Sequence, residues 1–215
     1  MASRKHNGFS LLEMLITLTF AMIMAAVTFI WMMPLVFQSH VDTGYATTLM
    51  VLRNTRNLAI TQSHEYIVNF NPAGFPAGTI QVEYQGPAVG AGPAPPVQQV
   101  ELYNLPADIS FGVWGGFPAA APDGFGNGTV AIDFGQQLPG EPLSSVTFMP
   151  DGSAQTGVVG NNGTYNSGIV YIIRPTDPTP YRSKAITVWG ATGRIRGWRL
   201  NQTGPGGGGP EWVQQ

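Results

Sequence analysis

Three hydrophobic patterns follow one another along this chain, and each predicts a different element. From Met14 to Phe37 no residue carries a charge, and a helix over that run is about 36 Å long at ~1.5 Å per residue. A bilayer's hydrocarbon core is about 30 Å thick, so the run is long enough to span it. Beyond it, Val41, Tyr45, Leu49, Leu52, Ala59 and Ile60 recur at three- to four-residue spacing. That period predicts a continuation of the same helix, with one apolar stripe against a core. Pro34 is expected to kink the helix or loosen a turn, because it lacks an N–H and crowds the preceding turn. The helix is placed at 9–64, with its membrane-spanning part at about 14–37.

From Glu65 the period changes to two. Tyr66 to Phe70 reads as a strand, and Thr79 to Gln85 alternates Ile80, Val82 and Tyr84 with Gln81, Glu83 and Gln85. Further strands are predicted at Gln99 to Asn104, Ile109 to Trp114, Thr129 to Phe134, Ser145 to Met149, Ala154 to Val158, Gly168 to Ile173, Lys184 to Trp189 and Arg194 to Leu200. Gly86 to Pro96 and Gly115 to Gly128 are Gly/Pro-rich loops, and Pro150-Asp151-Gly152 and Asn161-Asn162-Gly163 are turn signals. The β-rich domain is thus 65–200, and 201–215 is expected as a flexible Gly-rich tail. One long helix followed by many short, mostly antiparallel strands is an α+β architecture.

Composition narrows the class. The chain has 215 residues, with 28 Gly, 18 Pro and 10% charged residues, which suits a loop-rich β domain outside the cytoplasm. It has no Cys, so no disulfide framework or thiolate metal site is available. The net charge of −2 hides a polarity. Between Asn57 and Ile173 there are acids (Glu65, Glu83, Glu101, Asp108, Asp123, Asp133, Glu141, Asp151) and no Lys or Arg. From Arg174 to Arg199 there are Arg174, Arg182, Lys184, Arg194, Arg196 and Arg199 against Asp177. Arg53 and Arg56, one helical turn apart, read as a solvated helix face, with pairing to acids of the sheet or of another subunit as the alternative.

The start of the apolar run carries an unusual group. Glu13 lies at its edge, and a carboxylate in lipid is costly enough to mark function by default. Arg4 and Lys5 precede the run and predict a cytoplasmic N-terminus. A secretory signal is followed by its small-residue cleavage site, whereas here Gly8 comes before the helix. Cutting between Gly8 and Phe9 would leave the helix attached and create an α-amine one turn from Glu13. A plain signal anchor with a Glu near the membrane surface is the alternative on the residues alone.

Gly8-Phe9-Ser10-Leu11-Leu12-Glu13 resembles the class III signal of type IV pilins and pseudopilins. The resemblance implies removal of the leader 1–8 by a prepilin peptidase and N-methylation of Phe9. It also implies that Glu13 pairs with the Phe9 amine of a neighbouring subunit during filament assembly. Val146-Thr147-Phe148-Met149-Pro150-Asp151-Gly152, Ile186-Thr187-Val188-Trp189 and Gly193-Arg194-Ile195-Arg196 look like the late strands of the GspH/FimT branch. That branch implies a minor pseudopilin of a type II secretion system, single-pass in the bacterial inner membrane with a periplasmic domain, whose partners are other pseudopilins or pilins.

No catalytic constellation stands out, so an enzyme is not expected, nor a cofactor or metal. His6, His40 and His64 lack metal-ligand spacing, and Ser144 and Ser145 lack a nucleophile-elbow context. Asn127-Gly128-Thr129 and Asn162-Gly163-Thr164 match a glycosylation sequon but read first as turns. One stretch has binding chemistry. In a strand, Arg194, Arg196 and Trp198 point to one face, with Arg199 beside them, which suits phosphate pairing and base stacking. The Gly-Arg-x-Arg pattern is similar to that of minor pilins that capture DNA, so DNA is the alternative partner. A charged edge strand, or pairing with acids of a neighbouring pilin, explains the same residues.

Overall fold

The computed structural model describes residues 10–85, 98–118, 120–136, 142–156, 164–202 and 209–215. The leader 1–8, Phe9, the Gly86–Pro96 loop and the Asn161–Gly163 turn lie outside the described residues. The chain divides into two compact units, Met1–Ser39 and His40–Gln215.

Helix α1 spans Leu11–Gln62 and is continuous through Pro34 and Gly44. Its part in the first unit exposes Leu15, Phe20, Ile23, Phe29 and Trp31 among other large apolar side chains. It is one helix long and apolar enough to cross a membrane. The hydroxyls of Thr17, Thr19 and Thr28 donate back to the carbonyls of Met14, Ile16 and Met24. Those bonds satisfy the three hydroxyl donors within the helix itself, as an apolar medium requires.

In the second unit α1 buries Val41, Gly44, Thr48, Val51, Leu52, Thr55 and Ala59; of the predicted stripe Val41, Leu52 and Ala59 are buried, Tyr45 and Leu49 are half-buried and Ile60 is exposed, so the buried face is rotated toward smaller residues. Buried Thr48 and Thr55 satisfy their hydroxyls on the carbonyls of Gly44 and Val51, which is why polar residues are tolerated on that stripe.

The strands, in order, are β1 Glu65–Phe70, β2 Thr79–Gln85, β3 Gln98–Asn104, β4 Ser110–Phe111, β5 Ile132–Asp133 and β6 Ser145–Phe148. There follow β7 Gln155–Thr156, β8 Thr164–Tyr165, β9 Gly168–Ile173, β10 Lys184–Trp189, β11 Arg194–Asn201 and β12 Glu211–Gln214. All pairs are antiparallel. One sheet has the order β3-β2-β1-β6, and the larger has β12-β11-β10-β9-β4 with β5 also on β9; β7 and β8 form a separate ribbon. The fold is α+β, a long N-terminal helix packed on antiparallel sheet.

The larger sheet is buried on both faces at its centre. Val170, Ile172, Ile186 and Val188 join Val51, Leu52, Val68, Phe70 and Phe148 in a core between helix and sheets. Ile169, Tyr171, Ala185, Leu200 and Trp212 form a second core on the opposite face. This explains the unbroken apolar run Gly168–Ile173, in which each residue is buried. It also sets the Tyr171 hydroxyl, which burial pushes up to about 12.

Several predicted strands shrink. Among the described residues, only Ser110–Phe111 of Ile109 to Trp114 and Ile132–Asp133 of Thr129 to Phe134 are laddered; Gln155–Thr156 forms a strand and Ala154 bridges to Phe148, while 157–158 lie outside the described residues. The chain end differs more. Within the expected flexible tail, Glu211–Gln214 pairs with β11 and buries Trp212. The Trp212 ring meets Phe117 and Tyr171 at centroid distances of 5.2 and 5.6 Å, so apolar burial fixes this segment. The turn readings agree with the geometry: Asp151 accepts from the backbone and hydroxyl of Ser153 (2.8 and 2.6 Å), which holds its carboxyl below the usual range. Asn127 likewise accepts from the Thr129 N–H at 3.0 Å.

Candidate functional site

Glu13 lies in the first turn of α1 and is exposed. Among the described residues no Lys, Arg or His forms an ion pair with it. The turns around it present Leu11, Leu12, Met14, Leu15 and Ile16, all exposed. A carboxylate in such surroundings needs a cation from elsewhere or the edge of the membrane. Gly8 and Phe9 lie outside the described residues.

The C-terminal arginines meet different fates. In β11, Arg194, Arg196 and Trp198 pair with Trp189, Thr187 and Ala185 of β10, which puts them on the face of the second core. Over Arg196 and Trp198 that face is closed, whereas Arg194 at the end of the strand is exposed. A short 3-10 turn at Pro122–Gly124 delivers Asp123, in the left-handed region at φ 54°, and the Asp123 carboxylate accepts from Arg196. Thr187 donates its hydroxyl to the same carboxylate at 2.6 Å, and the Trp198 indole N–H donates to the Thr187 hydroxyl at 3.0 Å. Trp198, Thr187, Asp123 and Arg196 form one connected polar network, with the Asp123 side chain 5% exposed and the Arg196 Nε buried without a partner. Arg196 and Trp198 are thus committed internally rather than offered to a ligand. Arg199 points to the helix side of the strand and is exposed. β12 covers β11 only at Trp198–Asn201, so among the described residues Arg194–Arg196 has no strand on that side and remains an edge.

Several other bases are paired. Arg174 donates to Asp108 at 3.0 Å and to Asp177 at 2.9 Å; Arg182 lies 3.5 Å from Asp177. Lys184 reaches Asp42 on α1 at 3.0 Å and lies over the Tyr45 ring. His40 joins Asp108 at 2.9 Å, and His64 sets its ring edge-on to Tyr84. Burial would raise the Asp108 pKa, but hydrogen bonds from His40, the backbone and Arg174, with the charge of His40, hold it below the ordinary carboxylate value. Among the described residues no cluster of three His, Asp or Glu is placed to hold a metal.

Arg56 is not the solvated helix residue its spacing predicts. Its Nε donates to the Gly152 carbonyl at 2.9 Å and its terminal nitrogen to the Thr192 carbonyl at 3.1 Å, tying α1 to two turns. Gly193, at φ 58°, makes this possible, because a Cβ there would collide with the Gly152 carbonyl and sit 2.7 Å from the Arg56 Nε. Beside this tie an open groove of about 460 Å³ is lined by Arg53, Arg56, Asn57, Thr192, Gly193, Arg194 and Ile195. The helix-face residues and the β10–β11 turn are distant in sequence, so the pattern of charges along the chain gave no sign of the groove.

No family model, no curated protein and no solved structure matches this chain.

Proposed function

We propose that this chain is a membrane-anchored structural subunit of a type IV pilin-like filament, a minor pseudopilin of a type II protein secretion machine. The observation that carries the reading is Glu13, an acid in the first turn of a span-length apolar helix, five residues after Gly8. Cleavage after Gly8 would create a Phe9 amine four residues, about one helical turn, before Glu13, so that a neighbour shifted by about one turn would bring its Glu13 level with it. In a low-dielectric medium an ammonium and a carboxylate attract strongly, and either one alone is costly to bury. One subunit's Glu13 and the next subunit's Phe9 amine would therefore pull helices into register. The apolar surface of Met14–Phe37 then packs helix on helix. Arg4 and Lys5 keep the N-terminus cytoplasmic, which puts 40–215 in the periplasm. Such a subunit acts by packing and pairing and needs no catalytic group or cofactor.

The test is Glu13→Ala. Membrane insertion is expected to persist, because the span gains apolarity, while recovery of the chain in sheared filaments or in cross-links to neighbouring subunits fails. Normal incorporation of the variant would overturn the role given to Glu13.

A further inference from the structure

The ladder between β11 and β12 stops partway along β11. β12 pairs with Trp198 to Asn201, and beyond it the Gln215 N–H donates to the Gly197 carbonyl at 2.9 Å. Among the described residues no strand lies beside Arg194–Arg196. Alternation along a strand gives the direction of the backbone groups left there. Leu200 donates its N–H to the Ser183 carbonyl, on the β10 side, so even-numbered residues of β11 bond that way. Odd-numbered ones, Gly197 among them, bond toward β12. The N–H and carbonyl of Ile195 therefore face the open side.

The groove beside Arg56 runs along this edge. Thr192, Gly193 and Ile195 line one wall, and Arg53 and Asn57 of α1 line the other. The bonds from Arg56 to the Gly152 and Thr192 carbonyls fasten the β10–β11 turn to α1, so a guest strand meets a preformed slot. Side-chain direction divides the cations. Gly197 lies against the Tyr45 hydroxyl, so odd-numbered residues of β11 face α1, and a guest residue opposite Ile195 points toward Arg53. Arg194 faces the other way, and a guest residue opposite it stands beside its guanidinium. Both arginines are exposed, and among the described residues neither forms an ion pair.

We propose that the free edge of β11 seats an extended acidic segment of a partner polypeptide, added as a strand where β12 leaves off. Two adjacent carboxylates fit, one opposite Ile195 reaching Arg53 and the next reaching Arg194. Backbone bonds to Ile195 attach the guest, and the two charges select it. The same arginines keep two such edges from pairing with each other. DNA suits the site less well: the chain's net charge of −2 gives a polyanion no long-range attraction, and a phosphate backbone has no N–H for the Ile195 carbonyl. The contact goes beyond the filament reading and does not rest on it, since it needs neither leader cleavage nor Glu13.

The guest can be supplied by lengthening the chain itself. The sequence Thr-Glu-Glu-Val, appended after Gln215 of the full-length protein, continues β12 and sets its glutamates opposite Ile195 and Arg194. In nanodiscs of neutral lipid the Ile195 amide is expected to exchange about tenfold or more slowly than in the unextended chain. Thr-Lys-Lys-Val should give no such protection. Arg53→Glu should remove the protection given by the acidic extension, and Thr-Lys-Glu-Val should restore it on that background, which a folding defect would not allow. A free peptide carrying the acidic sequence, at about 1 mM, should slow the same amide in the unextended chain. Equal protection by the acidic and basic extensions, protection by neither, no response to the free peptide, or slowing of that amide by a DNA duplex instead overturns the proposal.

Discussion

The Arg196 guanidinium is gripped by the carboxylate of Asp123, a residue of a distant loop held in the left-handed region. The grip seals one face of β11 over Arg196 and Trp198. It turns the arginines of the Gly-Arg-x-Arg stretch from an apparent patch into residues with separate tasks. Arg196 fastens a loop, and Arg194 lines a groove.

Removing Asp123 should therefore cost stability. Its side chain is 5% exposed and that of Arg196 is 22% exposed, and the Arg196 Nε is already buried without a partner. Asp123→Ala leaves a cation stranded beneath the loop, and the expected loss is about 3–5 kcal/mol. Urea unfolding of the variant checks this, and a loss within experimental error would mean the pair is not made.

Gly197 should tolerate no side chain while Tyr45 keeps its place. A Cβ at Gly197 would fall on the Tyr45 hydroxyl. Gly197→Ala is expected to cost about 1–3 kcal/mol by overpacking. Combined with Tyr45→Ala the two losses should be less than additive, because the obstructed ring is then gone. A double-mutant cycle in urea measures the coupling.

The acid limb of the stability curve should bear the mark of Asp108. Its folded pKa lies below its ordinary value of 3.8, so its contribution is fully present above that value and is lost as pH falls through the folded pKa. Asp108→Asn should flatten the loss of stability below about pH 4, while lowering stability at neutral pH. Midpoints of thermal unfolding followed from neutral to acid pH decide the matter; parallel curves for the two proteins would contradict it.

Trp212 should anchor the chain end. It is 6% exposed and packs on Phe117 and Tyr171. Trp212→Ala is expected to cost about 3–5 kcal/mol and to raise amide exchange in β11 and β12. Unchanged exchange would mean that β12 is held by its ladder alone.

The helix and the main strands were legible because burial imposes a period. Val41 to Ala59 repeats every three to four residues, and in β1 the buried Tyr66, Val68 and Phe70 alternate with half-buried neighbours. Residues whose partners come from far along the chain were not legible. Arg56 looks like any exposed helix arginine until Gly152 and Thr192 arrive beside it. The parity of Arg194, Arg196 and Trp198 could be read from β11, but not that Asp123 would close over it. The strand β12 left only a faint sign, Trp212 and Val213 between polar neighbours after a run of glycines. Short strands such as β4 and β5 were overdrawn, since apolar alternation continues past the point where a ladder partner is available.

The most direct test of the filament account is the mass and N-terminal sequence of the chain recovered from cell envelopes. The account predicts a first residue of Phe9 with a methylated α-amine, residues 1–8 being absent. A chain that still begins at Met1 would have no ammonium to offer a neighbour's Glu13, and would contradict it.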